Sequence, residues 1–412
     1  MGIILWLACA GSAGAAIAPP PPTPEDGTTF DLFVGDQYTY DDNLYRIPTA
    51  FSPLVSTLPS SATRGDRYNT VSAGGTGQWF IGRQNIDLTL RADNSLFAHN
   101  TTLNNTGGDG SLLWNWLVGS HFSGQVGAEF NRALAGFTET RYLGRDLVDT
   151  KTYFGKGTFQ VGPHWAIIGG AREMDITHGA AAAVYNNFKT RSGNAGMEFS
   201  TGASDTFGVE YQYTRGLYPP NYTFDNLPFD RDFKEDTYRG TIKYAITEKF
   251  NVDAYAGYMK HTLPPQNILP TSIFGNFSGD VWRVTLNWVP TEKTQLGFAG
   301  WHELHAYLVN ASNYFVSKGF SVSPTWRPTE KIAIAFVASR EDQDFVAIQS
   351  VLGLLAVPRF DRVTGEQINA FYTPRDRWTF NLFFRNERRS SSDTNFTYAD
   401  RSGNVSFTYK FW

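Results

Sequence analysis

FNVDAYAGYMKH, residues 250–261, sets Phe250, Val252, Ala254, Ala256 and Tyr258 against Asn251, Asp253, Tyr255, Gly257 and Met259 in unbroken alternation. A period of two is the signature of a β-strand with unlike faces. VWRVTLNW (281–288) repeats it, with Trp282, Val284, Leu286 and Trp288 opposite Arg283, Thr285 and Asn287. RWTFNLFFRNE (377–387) and NIDLTLRAD (85–93) do the same, the latter separating Ile86, Leu88 and Leu90 from Asp87, Thr89 and Arg91. No stretch beyond residue 28 is long and apolar enough for a membrane-spanning helix, which needs about twenty residues.

The punctuation chooses between a soluble sandwich and a barrel. Short polar connectors, ITEKF (246–250), VPTEKT (289–294), RPTEKI (327–332) and YTPRDRW (372–378), alternate with long ones at 42–66, 217–235, 262–276 and 341–361. Short turns at one end and long loops at the other are the pattern of an outer-membrane barrel. Strands of about ten to fourteen residues suit a tilted crossing of the hydrocarbon layer. The expected fold is all-β: a transmembrane antiparallel up-and-down β-barrel of about 18 strands (16 to 20) spanning residues 29–412. Closure is required because an open edge would leave unpaired backbone groups in lipid.

Composition agrees. The 412 residues are 15% aromatic with 39 glycines, one cysteine and a formal charge of -4. Plentiful Phe, Tyr and Trp favour strands, and the slight negative charge without a Lys/Arg block speaks against a nucleic-acid partner. Trp79, Trp114, Trp116, Trp165, Trp282, Trp288, Trp326 and Trp378 fall on the outward face or near strand ends, where girdle aromatics meet headgroups.

MGIILWLACAGSAGAAIA, residues 1–18, reads as a signal peptide ending at an A-x-A site, Ala16-Ile17-Ala18. The missing basic n-region points to a natural start upstream of Met1. Cys9 lies inside this segment, so the mature chain has no thiol. The run 19–28, opening with PPPPTPEDG, is an extended Pro-rich periplasmic tether. The expected location is the outer membrane of a Gram-negative bacterium. The closing NVSFTYKFW alternates to a terminal aromatic and resembles the signal that barrel-assembly machinery reads in last strands.

Catalytic chemistry finds no support. His302 and His305 in GWHELHAY stand three apart in an alternating strand and face opposite ways, whereas a zinc-protease motif needs them four apart on a helix. No nucleophile elbow, phosphate loop or metal-ligand spacing occurs, and EDQD (341–344) reads as a solvated external loop. Neither cofactor nor metal is expected.

In VGDQYTYDDNLYRIP (34–48), Gly35, Gln37, Thr39 and Asp41 belong to the lumen face, and Asp42, Asn43, Tyr45 and Arg46 crowd the external mouth. YTYDDNLYR (38–46) resembles the first strand of the EpsL family, outer-membrane proteins of exopolysaccharide operons associated with the exosortase/PEP-CTERM system. EYQYTRGLYPPNY (210–222) echoes it, QYTRGLYP repeating the pattern of QYTYDDNLYRIP. The resemblance implies a role in producing or exporting a polysaccharide and carries no catalytic residues. The candidate substrate contacts, at mouth or lumen, are Asp41, Asp42, Asn43, Tyr45, Arg46, Asp87, Arg91, Glu129, Glu210, Arg239, Asp253, Tyr255, Arg283, Trp301, Glu303 and Arg385. Aromatic faces with dense hydrogen-bonding groups are what sugar rings require. The main expectation is a conduit for the secreted polysaccharide, in contact with periplasmic or inner-membrane export components. The alternatives are a small-solute porin, marked by a loop folded into the lumen, and a non-conducting assembly barrel. Residues 19–28 leave no room for the plug domain of a siderophore transporter.

Overall fold

The computed structural model describes residues 28–48, 62–138, 142–201, 205–220, 223–224, 227–228, 230–265, 276–306, 312–347 and 358–411. The expected signal peptide, nearly all of the tether and Trp412 lie outside these. Eighteen antiparallel strands form one closed sheet: β1 (Thr29–Asp41), β2 (Asp66–Ile81), β3 (Gln84–Phe97), β4 (Asn105–Val118), β5 (Phe122–Leu134), β6 (Leu147–Val161), β7 (Trp165–His178), β8 (Phe188–Ser200), β9 (Thr206–Leu217), β10 (Phe233–Thr247), β11 (Phe250–Thr262), β12 (Phe277–Thr291), β13 (Thr294–Ala306), β14 (Ser312–Thr329), β15 (Ile332–Ala347), β16 (Arg359–Arg375), β17 (Trp378–Ser391) and β18 (Tyr398–Lys410). Each pairs with its chain neighbours, and β18 returns to β1 in a ladder from Phe33↔Lys410 to Asp41↔Ser402. The backbone is thereby satisfied around the whole wall, as lipid demands.

The expected faces are those observed. Phe30, Leu32, Val34, Tyr38 and Tyr40 of β1 point outward and are exposed, as are Phe380, Leu382 and Phe384 of β17 and Val405 of β18. Outward Trp165, Trp288, Trp326 and Trp378 sit near the short-turn ends of their strands, while outward Tyr153, Tyr211, Tyr238 and Tyr258 lie toward the opposite rim. These are the two aromatic girdles of a transmembrane barrel of the outer-membrane type.

The three TEK turns and the turn at 375–378 have a common build. Thr247 pairs with Phe250, Thr291 with Thr294, Thr329 with Ile332 and Arg375 with Trp378, each closing a two-residue turn. A register shift precedes every one. Pro290, Pro328 and Pro374 fall inside three of these shifts, where a residue lacking N–H costs no ladder bond. Gly82, Gly119 and Gly162 serve other short turns in the left-handed region at φ 61°, 59° and 73°.

Two expectations are corrected. EDQD is not loop: β15 runs through it to Ala347, with Glu341 and Gln343 facing the lumen and Asp342 and Asp344 outward. Its polar residues alternate with the wall, so an all-polar run still has two faces. Long external connections also occur at 98–104, 135–146 and 179–187, which lack the Pro/Gly density that marked the others.

Candidate permeation path and its external mouth

The first external turn is fastened to the seam between β1 and β18. Asp42 N donates to Arg401 O (3.0 Å), Arg401 N to Asp42 Oδ1 (2.7 Å), and Asn43 Nδ2 to Ala399 O (2.8 Å) and Ile47 O (2.9 Å). One Arg46 nitrogen donates to Asp41 Oδ2 (3.0 Å), Asp400 Oδ1 (2.8 Å) and Asn43 O (2.6 Å). Arg46 is held at φ 52°, a conformation that costs a side-chain-bearing residue about 1–2 kcal/mol. Burial works against its charge, but Asp41 and Asp400 outweigh burial and raise its pKa. Carboxylate oxygens of Asp41, Asp42 and Asp400 lie within 4.8 Å of one another, with the Arg46 guanidinium on two of the three.

This corrects the expectation for the opening motif. Asn43 and Tyr45 are 0% and 1% exposed and cannot touch a solute. The turn folds back on the seam instead of projecting. Tyr45 donates to Asn100 Oδ1 (3.2 Å) and packs on Phe137 (4.8 Å between centroids), in a cluster with Ile47, Phe97, Leu103 and Leu143. Residues of three connections, 42–48, 98–104 and 135–138 with Leu143, thus share one small core.

The 135–146 connection reaches farther. Thr138 O accepts from Arg389 Nη1 (3.4 Å), although Arg389 lies on the inner face of β17, several strands around the wall past the seam from β5. Arg389 is 1% exposed and also donates to Asp361 (2.8 Å) and Gln343 (3.3 Å). Arg359 stacks between Phe345 (3.6 Å) and Phe396 (3.8 Å) beside it. A few strands back along the wall the β12–β13 ladder stops at Trp282↔His302 while β13–β14 continues to Ala306↔Tyr314. That freed hairpin end leans inward: Leu304 and Tyr314 pack on Met259, Phe277 and Val281. A stack of buried Phe233, His261 and Phe277 with half-buried Tyr314 follows, centroids 4.6, 4.4 and 4.1 Å apart.

Most inward candidates form one chain of contacts. Asn194 donates to Glu210 (2.7 Å), Arg239 to Glu210 (3.0 Å), and Arg239 lies over Tyr255 (5.5 Å). Tyr255 donates to Glu303 (2.6 Å), which also accepts both Arg283 contacts (3.0 Å). Arg283 lies over Trp301 (5.4 Å), and Trp301 Nε1 donates to Ser317, whose hydroxyl donates to Glu341 (2.7 Å). Gln343 carries the chain to Arg389 and Asp361, so it runs from β8 to β17. Arg385 pairs with Glu387, which accepts from Tyr398 (2.8 Å).

Arg91, Glu129 and Asp253 stand apart from that chain, exposed on the inner wall together with Lys156, Arg172 and Lys243. Asp87, half-buried, accepts from Gln78, Asn85 and Asn115. Sequence reasoning missed Glu341, Asp361, Glu387, Arg389 and Asp400. The alternation in RFD and RNERR carries the signal, but 341–361 reads in the sequence as a long connection. His302 faces outward against Trp282 and His305 inward near Glu303 (3.7 Å).

No family model and no curated protein matches the chain. Among solved structures the chain is similar to OpdQ of Pseudomonas aeruginosa, with a TM-score of 0.48 and 10% identity over 93% of this chain and 98% of that one. It is similar to OccK2 (OpdF) of Pseudomonas aeruginosa in complex with glucuronate, with a TM-score of 0.48 and 9% identity over 93% and 98%. It is likewise similar to a BenF-like porin from Pseudomonas fluorescens Pf-5, with a TM-score of 0.47 and 10% identity over 94% and 99%. The likeness is one of barrel architecture.

Proposed function

We propose that this outer-membrane barrel is a passive channel for small polar solutes, narrowed at its external mouth. The observation that carries the reading is the Thr138–Arg389 contact, which ties an external connection of β5 to the inner face of β17. Below it, exposed charges of both signs, Arg91, Lys156, Glu129 and Asp253, give the lumen a hydrated wall without strong ion preference. The charges joined in the chain from Glu210 to Arg389 are mutually paired, so that part of the wall holds a fixed shape and offers few sticky sites. That suits fast passage of small solutes. Purified protein in planar bilayers should give discrete conductance steps, and liposome swelling should admit small sugars but exclude oligosaccharides. A silent bilayer would leave the non-conducting barrel instead.

The polysaccharide reading is favoured by one observation, the resemblance of residues 38–46 and 210–222 to the EpsL family. It would require the 42–48 and 135–138 segments to leave the mouth for a polymer to pass. Deleting the gene and measuring polysaccharide in medium and periplasm separates the readings: loss outside with accumulation inside supports export. In that case the TEK turns, at the periplasmic end, are the surface for export components, and a pull-down without envelope partners speaks against this. The alternating last strand is the segment offered to the assembly machinery.

A further inference from the structure

The outer wall between β3 and β6 carries a groove of about 750 Å³. Its floor is made by Gly108 and Gly110, which face lipid beside the larger side chains of Leu90, Phe130 and Arg132. Leu90 flanks it on one side and Phe130 and Tyr153 on the other. In register, Leu90 pairs with Gly110, Gly110 with Phe130 and Phe130 with Lys151; one pleat nearer the external end, Gly108 pairs with Arg132 and Arg132 with Asp149. An apolar trough therefore ends under two cations. Arg132 is fixed by a bidentate pair to Asp149 (2.6 Å for both contacts) and remains half exposed, and Lys151 is exposed beside it.

The level of these cations follows from the strand. Outward apolar positions of β5 run from Phe122 through Val126 to Phe130, which at about 3.3 Å per residue and the usual tilt covers most of a hydrocarbon band of about 25 Å. Arg132 is the next outward residue, at the outer-leaflet headgroups. A trough that fits an acyl chain, closed at the headgroup level by a fixed guanidinium and an ammonium, is complementary to an amphiphile whose head is anionic.

We propose that this groove binds an outer-leaflet glycolipid of the lipid A type, one acyl chain on Gly108 and Gly110 and a phosphate on Arg132 and Lys151. A second copy of the chain is the less suited occupant, because the surface is concave with charges at one rim.

The test uses full-length protein exchanged free of lipid in detergent and titrated with lipid A, read by native mass spectrometry for retained lipid. Lys151→Glu should weaken retention about tenfold, the worth of one charge-assisted contact. Gly110→Leu fills the floor, where an added Cβ already lies 3.0 Å from the mobile end of Leu90, and should weaken it by a similar factor. Heat-modifiable migration confirms that both variants fold. Wild-type retention in both variants would overturn the proposal, as would equal retention of phosphatidylglycerol or dephosphorylated lipid A. Loss of oligomers in Gly110→Leu with unchanged lipid retention would overturn it in favour of a second copy.

Discussion

Arg46 bridges Asp41 and Asp400, carboxylates at the external ends of the first and last strands, at 3.0 and 2.8 Å from one nitrogen. The contact fastens the sheet with side chains at the end of its ladder, Asp41↔Ser402, beside the Asp42–Arg401 backbone bond. The motif YDDNLYR is therefore a clasp across the seam.

Removing one partner of a buried ion pair costs about 3–5 kcal/mol, because the remaining charge stays desolvated. Arg46→Met should lower the temperature at which the barrel unfolds on heat-modifiability gels by many degrees. Adding Asp400→Asn to that variant should restore part of the loss. Equal unfolding temperatures for wild type and Arg46→Met would show that backbone pairing alone closes the seam.

Phe137 holds the 135–138 segment against Tyr45 in the mouth cluster. Truncating a buried aromatic costs about 3–5 kcal/mol at the site, more than one loop contact such as Thr138–Arg389 can hold. Phe137→Ala should leave the barrel folded, raise single-channel conductance and increase the largest sugar admitted to liposomes. Unchanged conductance would place the narrowest point elsewhere.

The inner wall carries two kinds of charge, and they should answer differently to substitution. Glu129→Gln removes an exposed charge facing the lumen and should shift the reversal potential in a salt gradient modestly toward anions. Glu303→Gln uncovers Arg283, whose guanidinium it otherwise holds at 3.0 Å, and should shift it further in the same direction while also weakening the fold. Reversal potentials for the pair of variants decide the point.

The Tyr45 phenol has its pKa raised by burial first and by Asp66 second. A group whose folded pKa lies above its unfolded value gives stability that is complete below the unfolded value, 10.0, and is lost as pH rises through the folded one. The mouth cluster should therefore loosen only above pH 10.0, seen as increased conductance or faster proteolysis of the 42–48 segment. Tyr45→Phe keeps the ring on Phe137, loses the bond to Asn100, and should abolish that pH dependence.

The sequence by itself determined the wall. Alternation in segments such as 250–261 assigns each residue to lipid or lumen, because a strand has only two faces and one of them must be apolar in a membrane. The TEK connectors marked two-residue turns because so little chain can only reverse direction. From those two facts came the strand number and the inward set running from Asp87 to Arg385. Only the tertiary structure decided which inward residues meet solvent. Asp253 and Glu303 share a face type in the sequence, yet one is exposed and the other is locked between Tyr255 and Arg283. Asn43 and Tyr45 look like free mouth residues until Ala399 and Ile47 take up the one and Leu103, Phe137 and Leu143 cover the other. A period of two records a direction, whereas burial depends on which distant strands and loops stand opposite, and closure of the barrel brings Arg46 to Asp400 and Thr138 to Arg389 across hundreds of residues.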